Sequence, residues 1–357
     1  MKFNFELVDK IDLLIVDDGY SNFTPENCSF YLLKNEIYLI NLIRATLYSL
    51  LKVEFSIKKI KENYFRDLII SFSPKIVLGH DMNGKIFRVK ENFPNIITIA
   101  YQFGYFYEGN DKKIYRKILK NKNTDYFCVF DLRSKKFIGK IIRNTKIYIT
   151  GSIKNNTNKI EMKKKMFDFL FISQFRPKSH EKKKNILISY DNHLMKKILI
   201  EMIEYCKKKK KKLAVALSSV RQDKIYYNYL NEEIQYFRNI LNKIFFSKKN
   251  NSLEMANSSK VILCYNSNFG AEMMSIGKKV VFFALSKHAK FKFKRNAFNI
   301  KNLNGKKIEK IMNRILKLNQ NQWHNYAKSI QLLKYDYKNK ILNKLLIDII
   351  KNEKKFV

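Results

Sequence analysis

Acids, imidazoles and short polar side chains placed just after apolar runs are the residues of this chain best suited to chemistry. Asp17 and Asp18 close the run 11–16, and His80 and Asp81 close a second run that Pro74 introduces. A carboxylate or imidazole in such a place can take the proton of an attacking hydroxyl, typically worth about 10²–10⁴-fold in rate. Histidine suits that role near neutral pH. His80 and Asp81 are therefore the candidate catalytic residues, and Asp17 and Asp18 candidates for the acceptor or cleft side, with Glu108 a further strand-end acid. The same side chains also suit turn and cap roles, which use Asp for its local hydrogen bonds. Farther along, Asn266, Ser267 and Asn268 follow the run 260–264 and precede a short helical pattern that Gly277 stops. They would set free N–H groups and short side chains at a helix start, a geometry that binds phosphate or carboxylate. An exposed helix end alone contributes only ~0.3–1 kcal/mol. Arg176 and Lys178 are the cations that would complete the site. An ordinary N-cap uses the same residues and needs no ligand.

These residues need strands and turns to hold them. The runs 11–16, 75–78, 96–100, 125–130 and 145–150 read as short buried strands, with helical spacing over 36–51 and 57–71. A polar stretch, 152–165, has no apolar periodicity and reads as a linker. The pattern then restarts: strands over 167–173, 213–217, 260–264 and 279–285, helices over 193–206, 232–244, 269–276 and 306–318, and a helical tail over 324–351. Strands alternating with helices predict parallel βα units. In open α/β sheets ligands bind at the carboxyl ends of the strands, where the polar residues above fall.

The 357 residues include 71 Lys+Arg against 31 Asp+Glu, a net charge of +40, and 46% are hydrophobic. That apolar share excludes a disordered chain. The charge fits an anionic partner, either a membrane surface or nucleic acid. Lys, Asn, Ile, Phe and Tyr are abundant together, the bias an AT-rich genome imposes on any protein, and that reading of the charge needs no partner. The excess is nearly all Lys where nucleic-acid readers lean on Arg, which makes nucleic acid the weaker partner. The run 207–212 reads as the solvated end of a helix. Cys28, Cys128, Cys206 and Cys264 form no CxxC pair, so neither a disulfide scaffold nor a zinc ribbon is expected. No D-x-D, HExxH, G-x-G-x-x-G or P-loop occurs, and neither metal nor cofactor is expected. The most apolar stretch, 37–51, contains Asn41 and Arg44 and is shorter than the ~20 residues of a spanning helix. The expected location is cytoplasmic, peripheral to the inner membrane face.

Asn266, Ser267, Gly270, Glu272, Gly277 and Lys278 stand in the order of a strand–turn–helix segment that resembles the donor-binding stretch of two-lobed (GT-B) glycosyltransferases. Ile99, Gln102 and Gly104 are similar to the I-x-x-Q-H-G turn of bacterial surface-carbohydrate biosynthesis proteins, the capsule and lipopolysaccharide transferases among them. The stretches 125–130, 148–156 and 171–176 resemble that group in order. The resemblance implies an α/β fold of two Rossmann-like lobes facing across a cleft, with a C-terminal helical tail. It assigns residues 1–160 to an acceptor lobe, 161–330 to a donor lobe and 331–357 to the tail. It makes Arg176, Asn266, Ser267, Asn268, Gly270 and Glu272 donor-binding candidates, Glu272 toward a sugar hydroxyl, and places Gln102 and Gly104 at the acceptor side or cleft. The implied reaction moves a sugar from a nucleotide-activated donor to a glycan or lipid-linked acceptor. Glycerol-phosphate transfer from CDP-glycerol is the alternative in the same architecture, and a basic nucleic-acid-binding protein or a non-catalytic scaffold the alternatives outside it. Phe103 departs from the pattern, standing where the turn has His.

Overall fold

The computed structural model describes residues 2–4, 10–16, 23–33 without 24 and 27, 36–104 without 54 and 83, 110–158, 165–175, 187–218, 224–240, 252–285 without 266, 298–330 and 333–353. The chain forms two compact units. One comprises residues 1–104, 113–158 and 334–357, the other 105–112 and 159–333.

In the first unit the main sheet holds β2 (Leu13–Ile15), β3 (Phe30–Leu32), β5 (Ile76–His80), β6 (Ile97–Tyr101), β7 (Tyr126–Val129) and β8 (Lys146–Ile149), in the order β3-β2-β5-β6-β7-β8. Every pairing is parallel, with Ile15 opposite Leu78 and His80 opposite Tyr101. Strands buried on both faces read as unbroken apolar runs, which is why these segments showed no alternation. The segment expected to be helical from residue 36 begins instead as a strand. β4 (Glu36–Tyr38) pairs in parallel with β1 (Lys2–Asn4) before α1 (Leu39–Leu51) starts. Then come α2 (Ile57–Phe72), α3 (Gly84–Asn92), α4 (Asn110–Leu119), α5 (Leu132–Ile138) and the single turn α6 (Ile153–Asn156).

The second unit has one sheet, β10-β9-β11-β12-β13, again parallel throughout. Its strands are β9 (Phe167–Ile172), β10 (Leu213–Ala216), β11 (Ser259–Cys264), β12 (Lys279–Phe283) and β13 (Asn299–Ile300). Its helices are α7 (Leu187–Lys208), α8 (Lys224–Arg238), α9 (Ser252–Asn257), α10 (Asn268–Ser275), α11 (Gly305–Lys317) and α12 (Gln320–Ile330). The lysine run is the solvated end of α7 and the turn after it. Lys208 and Lys209 pair there with Glu309 at 2.8 and 2.7 Å.

Part of the expected linker is core. Asn155 and Asn156 are fully buried. Asn156 Nδ2 donates to the Thr150 carbonyl and to Asn339 Oδ1, both at 2.8 Å, and its Oδ1 accepts from Asp336 N–H at 3.0 Å. These bonds lace the returning C-terminal segment to the end of β8. At the crossing, Gly151 has φ +76°, and a Cβ there would lie 2.0 Å from the Lys334 carbonyl oxygen. Only glycine meets both demands. The last helix, α13 (Lys340–Glu353), then packs Leu342, Leu346 and Ile350 against Leu13, Ile15 and Leu78 in the first unit's core.

Candidate functional site

Each sheet contains a point where the strand order reverses, and the loops leaving the carboxyl ends there diverge to leave a crevice. In the first unit that point lies between β2 and β5, in the second between β9 and β11. The sequence candidates follow these strands: 17–18 after β2, 80–81 at the end of β5, 173–176 after β9 and 265–268 after β11. Asp17, Asp18, Arg176 and Asn266 themselves lie outside the described residues, as do Glu108 and Lys178.

In the first unit Asp81 is buried, and both carboxylate oxygens are engaged. Oδ1 accepts from Phe103 N–H at 3.1 Å and Oδ2 from the Tyr115 hydroxyl at 2.5 Å. Burial pushes its carboxyl up to about 7, against the pull of those hydrogen bonds. Asp81 thus joins the turn after β6 to α4, with each carboxylate oxygen engaged by the chain itself. His80 differs. Its side chain is half-buried, and its ring lies 4.8 Å from that of the exposed Phe103, tilted 35°. An imidazole therefore sits beside the position where the resembled turn carries its own.

Gln102 is also a brace. Its amide nitrogen donates to the Gly104 carbonyl at 2.9 Å, and its Oε1 accepts from Phe130 N–H at 2.9 Å. Buried and bonded through both ends of its amide, it holds the 102–104 turn against the end of β7.

In the second unit Ser267 is the N-cap of α10, its hydroxyl accepting from Phe269 N–H at 3.3 Å. Asn268 opens the helix, and Glu272 stands one turn in, partly exposed. Gly270 is fixed by close packing. A Cβ there would meet Cys264 Sγ at 2.5 Å and Cys264 Cβ at 2.8 Å. Its bare Cα lets α10 lie close on β11, and so sets the helix start beside the strand end. Lys278 lies at the opposite, amino end of β12, where burial and Lys165 pull its amine down to about 7.

A buried cluster escaped the sequence reading. Glu233 of α8, fully buried, accepts from the Ser173 hydroxyl and, at 2.8 Å, from Ser218 N–H. Ser173 Oγ in turn accepts from Phe175 N–H at 3.1 Å. One carboxylate thereby ties the turn after β9 to the turn after β10. Nothing in the Glu232–Glu233 pair tells which member turns inward. Beside it, the Tyr265 hydroxyl at the end of β11 donates to Asp191 Oδ1 at 2.6 Å. The turns at 173–175 and 265–268 are neighbours, because Ile172 pairs with Cys264. Among the described residues no three His, Cys, Asp or Glu side chains gather as metal ligands would.

Two Rossmann-like α/β units with parallel sheets, the chain returning to the first through a C-terminal helix, define a GT-B-type protein. Solved structures of that fold align over nearly the whole chain. UDP-GlcNAc 2-epimerase from Methanocaldococcus jannaschii, in complex with UDP-GlcNAc and UDP, matches with TM-score 0.54 and 12% identity over 97% of this chain and 99% of its own. The Neisseria meningitidis enzyme bound to UDP-GlcNAc gives 0.52 and 12% over 98% and 100%. The wall teichoic acid polymerase TagF gives 0.53 and 9% over 98% and 90%. No curated protein sequence matches. A family model described as "putative O-antigen biosynthesis protein" matches residues 100–353. The chain belongs to that family of bacterial surface-carbohydrate biosynthesis proteins.

Proposed function

We propose that the chain is a metal-independent glycosyltransferase that moves a sugar from a nucleotide-activated donor to a surface-polysaccharide or lipopolysaccharide acceptor. It would work in the cytoplasm at the inner membrane face. The observation that carries the proposal is the pair of polar turns, 173–175 and 265–268, side by side at the second sheet's switch point, with the capped start of α10 between strand and helix. A helix start and fixed N–H groups favour an anion and need no reorganisation as charge develops on a leaving group. In this reading α10 and Arg176 hold the donor's phosphates, and Glu272 meets a sugar hydroxyl. His80 takes the acceptor's proton, with Asp17 and Asp18 on the acceptor side. The acceptor oxygen bonds to the anomeric carbon, the bond from that carbon to the phosphate oxygen breaks, and the nucleotide leaves with the electron pair.

Glycerol-phosphate transfer is the second reading, favoured by the match to TagF, whose structure was determined with CDPG. There the hydroxyl would attack phosphorus and CMP would leave. A thermal-shift screen with CMP, CDP, UDP and GDP tests the common premise, since a ligand at 100 times its Kd adds about 2.7 kcal/mol. A shift with UDP or GDP favours sugar transfer, and one with CMP or CDP, followed by release of CMP from CDP-glycerol, favours the second reading. No shift with any nucleotide overturns both.

A further inference from the structure

In the α1–α2 hairpin, α1 is packed inside out. Its seam is polar: Asn41 donates to Asp67 at 2.6 Å and to Ser71 at 2.8 Å, and Asn63 donates to Ser49 at 2.8 Å. The buried residues of α1 are Asn41, Ala45 and Ser49. Ile43, Leu47, Leu50 and Leu51 of α1 are exposed, whereas α2 buries Leu68, Ile69 and Phe72. At the turn between the helices Leu51 is 83% exposed, Val53 91%, Phe55 65% and Ile57 74%, with Leu47 and Leu50 exposed behind them. A helix of a water-soluble core does the reverse, and soluble monomers rarely expose so continuous an apolar patch. Small and polar residues inside with leucines outside is how helices pack when their surroundings are lipid.

Backbone and length sharpen the picture. Val53 has φ +54°, in the left-handed region that β-branched residues avoid. The 13 residues of α1 span roughly 20 Å at 1.5 Å each, short of a bilayer's ~30 Å core. Among the described residues no helix is long and apolar enough to cross a membrane. The hairpin can therefore only dip in from one side. Its rim is cationic: Lys52, Lys58, Lys59 and Lys61 are all exposed around the tip. Arg44 and Arg66, with Tyr48, Asn63 and Asp67, line a groove of about 230 Å³ on the hairpin, where Asp67 is held by Asn41.

We propose that this hairpin is a docking surface for an anionic phospholipid bilayer. Leu51, Val53, Phe55 and Ile57 enter the acyl boundary, the lysines lie at headgroup level, and the Arg44–Arg66 groove takes a lipid phosphate. Charge selects this occupant. A second copy of the chain would bring the same lysines against themselves, whereas an anionic leaflet attracts each one. The inference rests on the membrane-face part of the proposed function, for which it names the surface, and its test is separate from the transfer reaction.

The test needs no donor sugar. Full-length protein is floated on a density gradient with vesicles of phosphatidylcholine alone or with about 30% phosphatidylglycerol. The wild type should rise with the anionic vesicles. L51D/F55D should lower the bound fraction at least about tenfold, with an unchanged melting temperature because both side chains are exposed. K58E/K59E should weaken binding to the anionic vesicles alone. Failure of the wild type to bind overturns the proposal. Wild-type binding by L51D/F55D also overturns it, since charge elsewhere, such as the lysine run after α7, would then hold the protein. So does a dimer that L51D/F55D converts to monomer without changing flotation, which would make a second copy the occupant.

Discussion

Asp81 is a carboxyl group held where its charge is costly. Its ordinary value is 3.8 and burial raises it to about 7, so between those limits the folded chain keeps a proton that the unfolded chain releases. Folding therefore gains most from this group below about pH 4 and loses that gain as pH rises through 7. At about 1.4 kcal/mol per pH unit the swing is on the order of 4 kcal/mol. Asn has the same shape, can accept from Phe103 N–H and carries no charge. D81N should thus melt above the wild type at pH 8, with the advantage gone by pH 4.5. Denaturant midpoints at the two pH values read the difference, and parallel curves would show that Asp81 is not the group that titrates. If Asp81 positions the turn and His80 carries the proton, D81N keeps most of any activity and H80A does not. A strand-end acid was visible in the sequence. Its partner Tyr115, 34 residues on and in another element, was not, and that partner decides between presenting a base and fixing a turn.

Among the elements, the strand of each βα unit was the most legible, because a strand buried on both faces has to be a short apolar run. The order of strands in a sheet leaves no such local mark. The reversal between β9 and β11 that places the 173–175 and 265–268 turns side by side appears only once the strands pair. The asparagines at 155–156 were read as linker because polarity without periodicity marks a loop, yet their amides are spent on a segment some 180 residues away. Ser267 allows the cap and ligand readings of α10 to be separated. Asp caps a helix as well as Ser does and suits the dipole, but it places a negative charge where a donor's phosphate would sit. S267D should melt within about 0.5 kcal/mol of the wild type while S267A loses about 1 kcal/mol. S267D should also lose any nucleotide-dependent thermal shift. A retained shift would mean that the start of α10 is only a cap, and the donor site would have to be sought elsewhere.

For the whole molecule, the final segment decides what counts as a unit. The helical tail was legible from its periodicity, whereas the core it joins was not, since Leu342 and Leu346 gave no sign that their neighbours would be Leu13 and Leu78. A helix carrying Leu342, Leu345, Leu346, Ile349 and Ile350 buries about 1.5–3 kcal/mol per side chain. That sum rivals the 5–15 kcal/mol by which a typical domain is stable. Removing residues 334–357 should therefore unfold the first unit, while the second keeps its own core. The single tryptophan reports on this directly. Trp323 is fully buried in the second unit, against Phe298 and Tyr326 at 5.6 and 5.5 Å. In the truncated chain its emission should stay blue and melt cooperatively while the far-ultraviolet helical signal drops well beyond the loss of α13 itself. A red-shifted Trp323 would mean that the second unit cannot stand without the first. An undiminished helical signal would mean that β2, β5 and β6 hold together without the leucines of α13.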